Sequence, residues 1–174
     1  AALAGSLRRA AAAVPRVLLT SRRSALTSLV AWDAVATDHA SVATVLEGVP
    51  GRAALFIEDA PSFAGSPAEA ALLALAARAT RGECLIVSEA ETREWHASYG
   101  LLGPLKASRT GLVLAPDTHD GDLIFQTPFA RLHRREFPPG RAVWVTSGRP
   151  QRVQLPLAPL LLNDTMSGQG AVLR

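Results

Sequence analysis

Lysine is almost absent from this chain. Lys106 is the only one, so arginine carries nearly all the positive charge behind a formal net charge of +3. Arginine suits phosphate better than lysine does, but codon bias toward Arg and Ala gives the same composition without any function, and so small a charge does not separate the two. Cysteine is equally scarce. Cys84 stands alone, which excludes an intrachain disulfide and points to a reducing setting. Its apolar neighbours make it a small core residue in this reading. Aromatics make up 5% of the chain. No apolar run reaches the roughly 18 to 20 residues that cross a bilayer. The opening AALAGSLRRAAAAVP lacks the charge-then-apolar order of a signal peptide. The expectation is a cytosolic chain, with any peripheral attachment to an inner membrane made through other domains.

What is present is ample apolar mass, 48% of 174 residues, mostly Ala, Leu and Val. A domain near this size buries roughly two-thirds of the surface its unfolded chain exposes. Disorder is excluded as an overall description, and small residues favour closely layered helices and sheets.

Residues 1–13 read as an Ala-rich helix that starts without an N-cap, which suggests continuation from a longer sequence. Strands follow at Arg16–Thr20 and Ala34–Thr37, around a short helical stretch at Ala25–Val30. Asp38–Glu47 has helical spacing, with Val42, Val45 and Leu46 on one face. Ala53–Asp59, AALFIED, is an apolar strand ending in two acids. A helix is expected over Pro67–Arg81 with Ser66 as N-cap. Then come a strand at Glu83–Ser88, a helix at Glu89–Tyr99 and a strand at Arg109–Ala115. Strands alternating with helices predict an α/β fold with a mostly parallel sheet. Arg141–Thr146 and Arg152–Leu155, around Ser147-Gly148, predict a terminal β-hairpin. The polar, Gly-rich end reads as a loose tail over 158–174.

Parallel sheets place their chemistry at the carboxyl ends of the strands, which is where Glu58 and Asp59 fall. Apolar residues followed by two acids form the pattern of a Walker B element. A nucleotide-bound Mg²⁺ keeps several waters and is held through one or two carboxylates. A neighbouring carboxylate can orient the attacking water. Acids also follow buried strands as simple solvated punctuation.

The succession AALFIEDAPSF, CLIVS, SRTGLVLAPDTHDGDLIF and FPPGRAVWVTSGRPQRVQLPL resembles the ATPase domain of FtsK/SpoIIIE-type proteins, including the EccC ATPases of type VII secretion, over residues 1–157. Gly121-Asp122-Leu123, Pro139-Gly140-Arg141 and Val153-Gln154 carry the ending of that resemblance. It implies a three-layer RecA-like P-loop core that couples ATP hydrolysis to movement of DNA or a secreted protein, working as a ring of neighbouring subunits. ATP and Mg²⁺ would be the cofactors of the parent protein. Glu58 and Asp59 would be catalytic and would hold the metal through water, and Ser88 would be the polar sensor.

The departures are as informative. The sequence contains no G-x-x-x-x-G-K-[ST], and Lys106 lies in GPLKASR, which is not a phosphate cradle. Glu precedes Asp, the reverse of the commoner order. Ser88 is followed by Glu-Ala-Glu rather than by a Gln-Arg-Pro-like stretch. This chain alone is therefore expected to bind no cofactor and to be inactive. The resemblance also places the missing P-loop strand between the strands at 83–88 and 109–115, leaving a vacant slot there. A degenerate pseudo-ATPase that docks partners in a larger assembly is the second reading, and an unrelated α/β domain is the third.

Arg109 is a candidate arginine finger, with Arg78 and Arg81 as lesser ones. Arg131, Arg134 and Arg135, with His133 and Arg141 nearby, form a basic cluster for an anion contact, or simply a solvated loop. His119 among Asp117, Asp120 and Asp122 reads as a polar loop, and no histidine has metal spacing.

Overall fold

The computed structural model describes residues 14–49, 52–97 and 99–155. The helix expected over 1–13 and the tail expected over 158–174 lie outside them. The first half runs β1 (Arg16–Leu19), α1 (Leu26–Leu29), β2 (Ala34–Ala36), α2 (His39–Glu47), β3 (Ala54–Ile57), α3 (Glu69–Thr80) and β4 (Leu85–Ser88). Its four strands form one parallel sheet in the order β2-β1-β3-β4. RVLL and ALFI are wholly buried, as strands covered on both faces of a parallel sheet must be. Val17, Leu19, Leu55 and Ile57 share one core with Val42 of α2 and Leu72 and Leu75 of α3. Leu18 and Phe56 face the other way, toward Trp32 and Val35. Asp38 caps α2, accepting the Ser41 N–H at 2.8 Å.

The second half contains α4 (Leu102–Lys106), β5 (Gly111–Leu114), α5 (Asp120–Phe125), β6 (Arg141–Thr146) and β7 (Arg149–Gln154). Its strands form an antiparallel sheet, β5-β6-β7. The expected hairpin is β6–β7. Ser147 (φ 49°) and Gly148 (φ 75°) are both left-handed, the geometry a tight two-residue hairpin turn favours.

The architecture is thus α/β, with a four-stranded parallel sheet and a separate antiparallel one. Three expectations need correction. Among the described residues β5 does not join the parallel sheet; it pairs with β6 alone. β4 pairs with β3 on one side only. Its apolar residues are correspondingly uncovered: Leu85 is 46% exposed, and across the seam Leu112 and Leu114 are 38% and 57% exposed. Two clefts, of about 220 and 420 Å³, are lined by residues next to or within both strands.

The helix expected over 89–99 is replaced by a loop with one 3-10 turn, Glu94–His96. Glu89 is held at the strand ends instead: its N–H donates to Ile57 O, its O accepts the Ala60 N–H, and its carboxylate accepts the Asp59 N–H. Those bonds take the first residue of the expected helix out of helical register. The third correction concerns α3, which begins at Glu69 rather than Pro67, with Ala68 at the cap position. Ser66 still accepts from the Ala68 N–H at 3.3 Å.

Candidate functional site

β1 and β4 flank β3, and the chain leaves all three strands at the same rim. The Glu58 N–H donates to Leu19 O at 3.0 Å, which continues the β1–β3 ladder and fixes where the first acid emerges. One carboxylate oxygen of Glu58, Oε1, accepts from Ser24 Oγ at 2.9 Å. The other, Oε2, is buried and has no partner among the described residues. Ser88, in register with Ile57, also has a buried Oγ without a partner among them. A buried polar atom without a hydrogen bond costs roughly 1–3 kcal/mol, and these two lie at the ends of adjacent strands.

Asp59 has left-handed backbone angles (φ 54°, ψ 59°), uncommon for a residue other than glycine. It turns the chain from β3 into a 3-10 turn at Ala60–Phe63, and its carboxylate makes no capping bond there. The turn is held by Ser62 Oγ, 2.7 Å from Asp59 O and 2.8 Å from Ser21 Oγ. Glu58, Asp59 and Ser88 are thus brought together at one rim, joined by Glu89. Ser21, Ser24 and Glu89 are the partners that sequence reasoning missed. Ser24 lies 34 positions from Glu58, and only the β1–β3 pairing makes them neighbours. Among the described residues, no group of three or more His, Cys, Asp or Glu is arranged to hold a metal directly. A Mg²⁺ at this rim would be reached through its waters, and the unpartnered Glu58 Oε2 and Ser88 Oγ fit that kind of contact.

The arginines fall elsewhere. Arg109 donates through Nε to Phe125 O at 2.9 Å, and through one terminal nitrogen to Gln126 O at 2.8 Å and Thr127 Oγ1 at 2.7 Å. Its guanidinium clips the start of β5 to the end of α5. Arg78 and Arg81 both pair with Glu83, and hydrogen bonding from Arg81 holds the Glu83 carboxyl below its ordinary range. Arg131 and Arg135 are exposed, and Arg134 opens the 3-10 turn Arg134–Glu136. Arg141 bonds Glu136 O and Gln154 Oε1 at 3.4 Å each, while Arg152 pairs with Glu136 at 2.9 Å and lies over the Phe137 ring. Lys106 donates to Ala97 O at 3.0 Å, and burial lowers its ammonium pKa. No helix among the described residues is long and apolar enough to cross a membrane.

Comparison with protein-family models, curated proteins and solved structures yields no significant match.

Proposed function

We propose that this chain is part of an ATP-binding, RecA-like domain of the FtsK/SpoIIIE type, which couples ATP hydrolysis to movement of DNA or a secreted protein and takes its phosphate-binding loop from outside this sequence. One observation carries the reading. The acid-bearing strand β3 lies beside β4, and among the described residues β4 pairs with no strand on its other side and β5 pairs with β6 alone. The resemblance expects a P-loop strand between β4 and β5, and these pairings leave room for one. The same arrangement accounts for the separation of β5 from the parallel sheet, since the two sheets would become one only with a strand between them.

On this reading each rim residue has a task. Glu58, oriented by Ser24, would help hold the metal through water at its other oxygen. Asp59, at the left-handed turn that follows, would orient the attacking water. The Ser88 hydroxyl would be the polar sensor beside them. Mg²⁺ arriving with ATP would neutralise charge on the phosphoryl oxygens. The chain's own contribution is to hold the two carboxylates rigidly, through four buried strand residues behind them.

The second reading, a docking module without turnover, draws on the missing G-x-x-x-x-G-K-[ST] and on the internal engagement of Arg109. One experiment separates the two. Magnesium-dependent ATP binding is measured on this chain and on a version joined to an upstream strand–loop–helix carrying G-x-x-x-x-G-K-[ST]. The chain alone is expected not to bind. The joined protein is expected to bind and hydrolyse ATP, with E58Q lowering turnover about 100-fold or more while sparing binding. Binding without turnover favours docking, and a joined protein that fails to bind ATP removes the RecA-like reading.

A further inference from the structure

Charge is divided unevenly along this chain. From Val14 to Ala97, seven arginines stand among ten acids; from Gln126 to Leu155, six arginines stand with a single acid, Glu136. Codon bias adds arginine but does not strip the acids from one stretch, so composition alone does not account for the contrast. The fold gathers most of these arginines on one face. Arg152 is in register with Val143, and side chains alternate along a strand, so Arg141 on β6 and Arg152 on β7 lie on the sheet face that carries Val143 and Val145. Arg149 falls on the opposite face.

Both reach the 3-10 turn Arg134–Glu136. Arg141 donates to Glu136 O at 3.4 Å, and Arg152 pairs with the Glu136 carboxylate at 2.9 Å beside the Phe137 ring. Arg135 belongs to that turn. Arg131 stands between Ala130 and Leu132, which line a small cleft together with Val143 and Arg152. Beneath the cluster Phe129, Phe137, Val143 and Val145 are buried, so the arginines are carried on a packed base. The one acid engages Arg152, whose side chain keeps half its surface in water. Arg131 and Arg135 are exposed and enter no ion pair among the described residues. The field over this face is therefore positive.

The occupant follows from what this face lacks. The exposed Leu112, Leu114 and Trp144 of the same sheet project from its other side. A peptide partner is anchored by apolar or aromatic side chains, a bilayer by apolar insertion, and a single nucleic-acid strand by stacking on aromatics. Recognition by charge alone gains affinity from a polymer of high charge density, through release of its condensed counterions. Arginine also matches phosphate with a fork of donors. We propose that this face binds the phosphate backbone of double-stranded DNA without reading its sequence, through Arg131, Arg135, Arg141 and Arg152. The proposal stands on the charge and placement of these arginines, goes beyond the ATPase reading and needs none of its rim residues.

A labelled duplex DNA of mixed sequence is the probe, titrated with the full chain in the absence of nucleotide and followed by fluorescence anisotropy. Saturable binding is expected, with a log–log slope against salt of about −3.5, so that affinity falls about a hundred-fold between roughly 50 and 200 mM salt. The double variant R131A/R135A should weaken binding at least about ten-fold for any sequence and make the slope shallower by about 2. Thermal unfolding should not change, since both side chains are exposed. R52A removes an exposed arginine from the parallel half and should weaken binding less than about two-fold, because a distant charge is screened. The proposal is overturned if the double variant binds as tightly as the parent chain, if R52A costs as much as the double variant, or if affinity does not respond to salt. It is also overturned if polyglutamate binds as tightly as DNA, which would make the partner an acidic protein segment, or if phosphatidylserine vesicles do, which would make it a membrane. No arm uses ATP or the carboxylate rim, so failure here leaves the ATPase reading standing.

Discussion

The two halves of this molecule solve the same problem in different proportions. In the parallel half, β1 and β3 are buried at every position, and helices cover their side chains. In the antiparallel half, β6 has buried and exposed residues in equal number and β7 is almost wholly exposed. This half has a smaller core of its own, with Ile124, Phe125, Phe129, Phe137 and Val145 buried, and adds polar clips to it: Arg109 on the end of α5, Arg152 on Glu136, and His96 on Asp120. Where a strand can be covered, apolar area stabilises it at about 25 cal/mol per Å². Where it is covered on one face only, hydrogen bonds of about 1 kcal/mol each add to the packing.

That contrast can be broken from either side. Phe63, fully buried where the 3-10 turn meets the parallel core, should show the largest effect. Phe63→Ala is expected to cost about 3–5 kcal/mol in denaturant unfolding, and a loss under about 1 kcal/mol would mean that this half is not the rigid one. Arg109→Ala should cost less, about 1–3 kcal/mol. Its effect should be local, with faster hydrogen exchange in β5 and α5 and unchanged protection in β1 and β3; uniform loss of protection would show that the halves unfold as one unit. The smallest effect should appear with acid. Bonding to the Ser41 N–H holds the Asp38 carboxyl below its ordinary value of 3.8. A group whose folded pKa is depressed stabilises the fold above its unfolded value and loses that contribution as pH falls through the folded one. The start of α2 should therefore fray below about pH 3.8, and Asp38→Asn should flatten this pH dependence in helix-resolved NMR.

Local patterning showed through the sequence well. The buried strands at Arg16–Leu19 and Ala54–Ile57, the capped helix at His39–Glu47 and the hairpin around Ser147-Gly148 each follow from spacing or turn chemistry within a dozen residues. The acids at the end of β3 were legible for the same reason. What stayed hidden depends on distant partners. Glu94 and Trp95 suit a helix, but Glu89 is claimed by Asp59, 30 positions earlier, and the helix does not form. The separation of β5 into a second sheet is a matter of edges, which local periodicity does not encode. Ser24 beside Glu58 and His96 beside Asp120 are products of topology, and their residue types carry no signal of the pairing.

The outer edges of the two sheets differ in one further respect. β7 closes the antiparallel sheet with Arg149, Pro150 and Arg152, and a proline and two cations discourage any further strand from adding there. Toward the seam, β4 and β5 present Leu85, Leu112 and Leu114 with no charge and no proline in either strand. Crowded solutions of the isolated chain should therefore build oligomers through those bare flanks, and light scattering that climbs with concentration should subside when Leu85 is replaced by lysine.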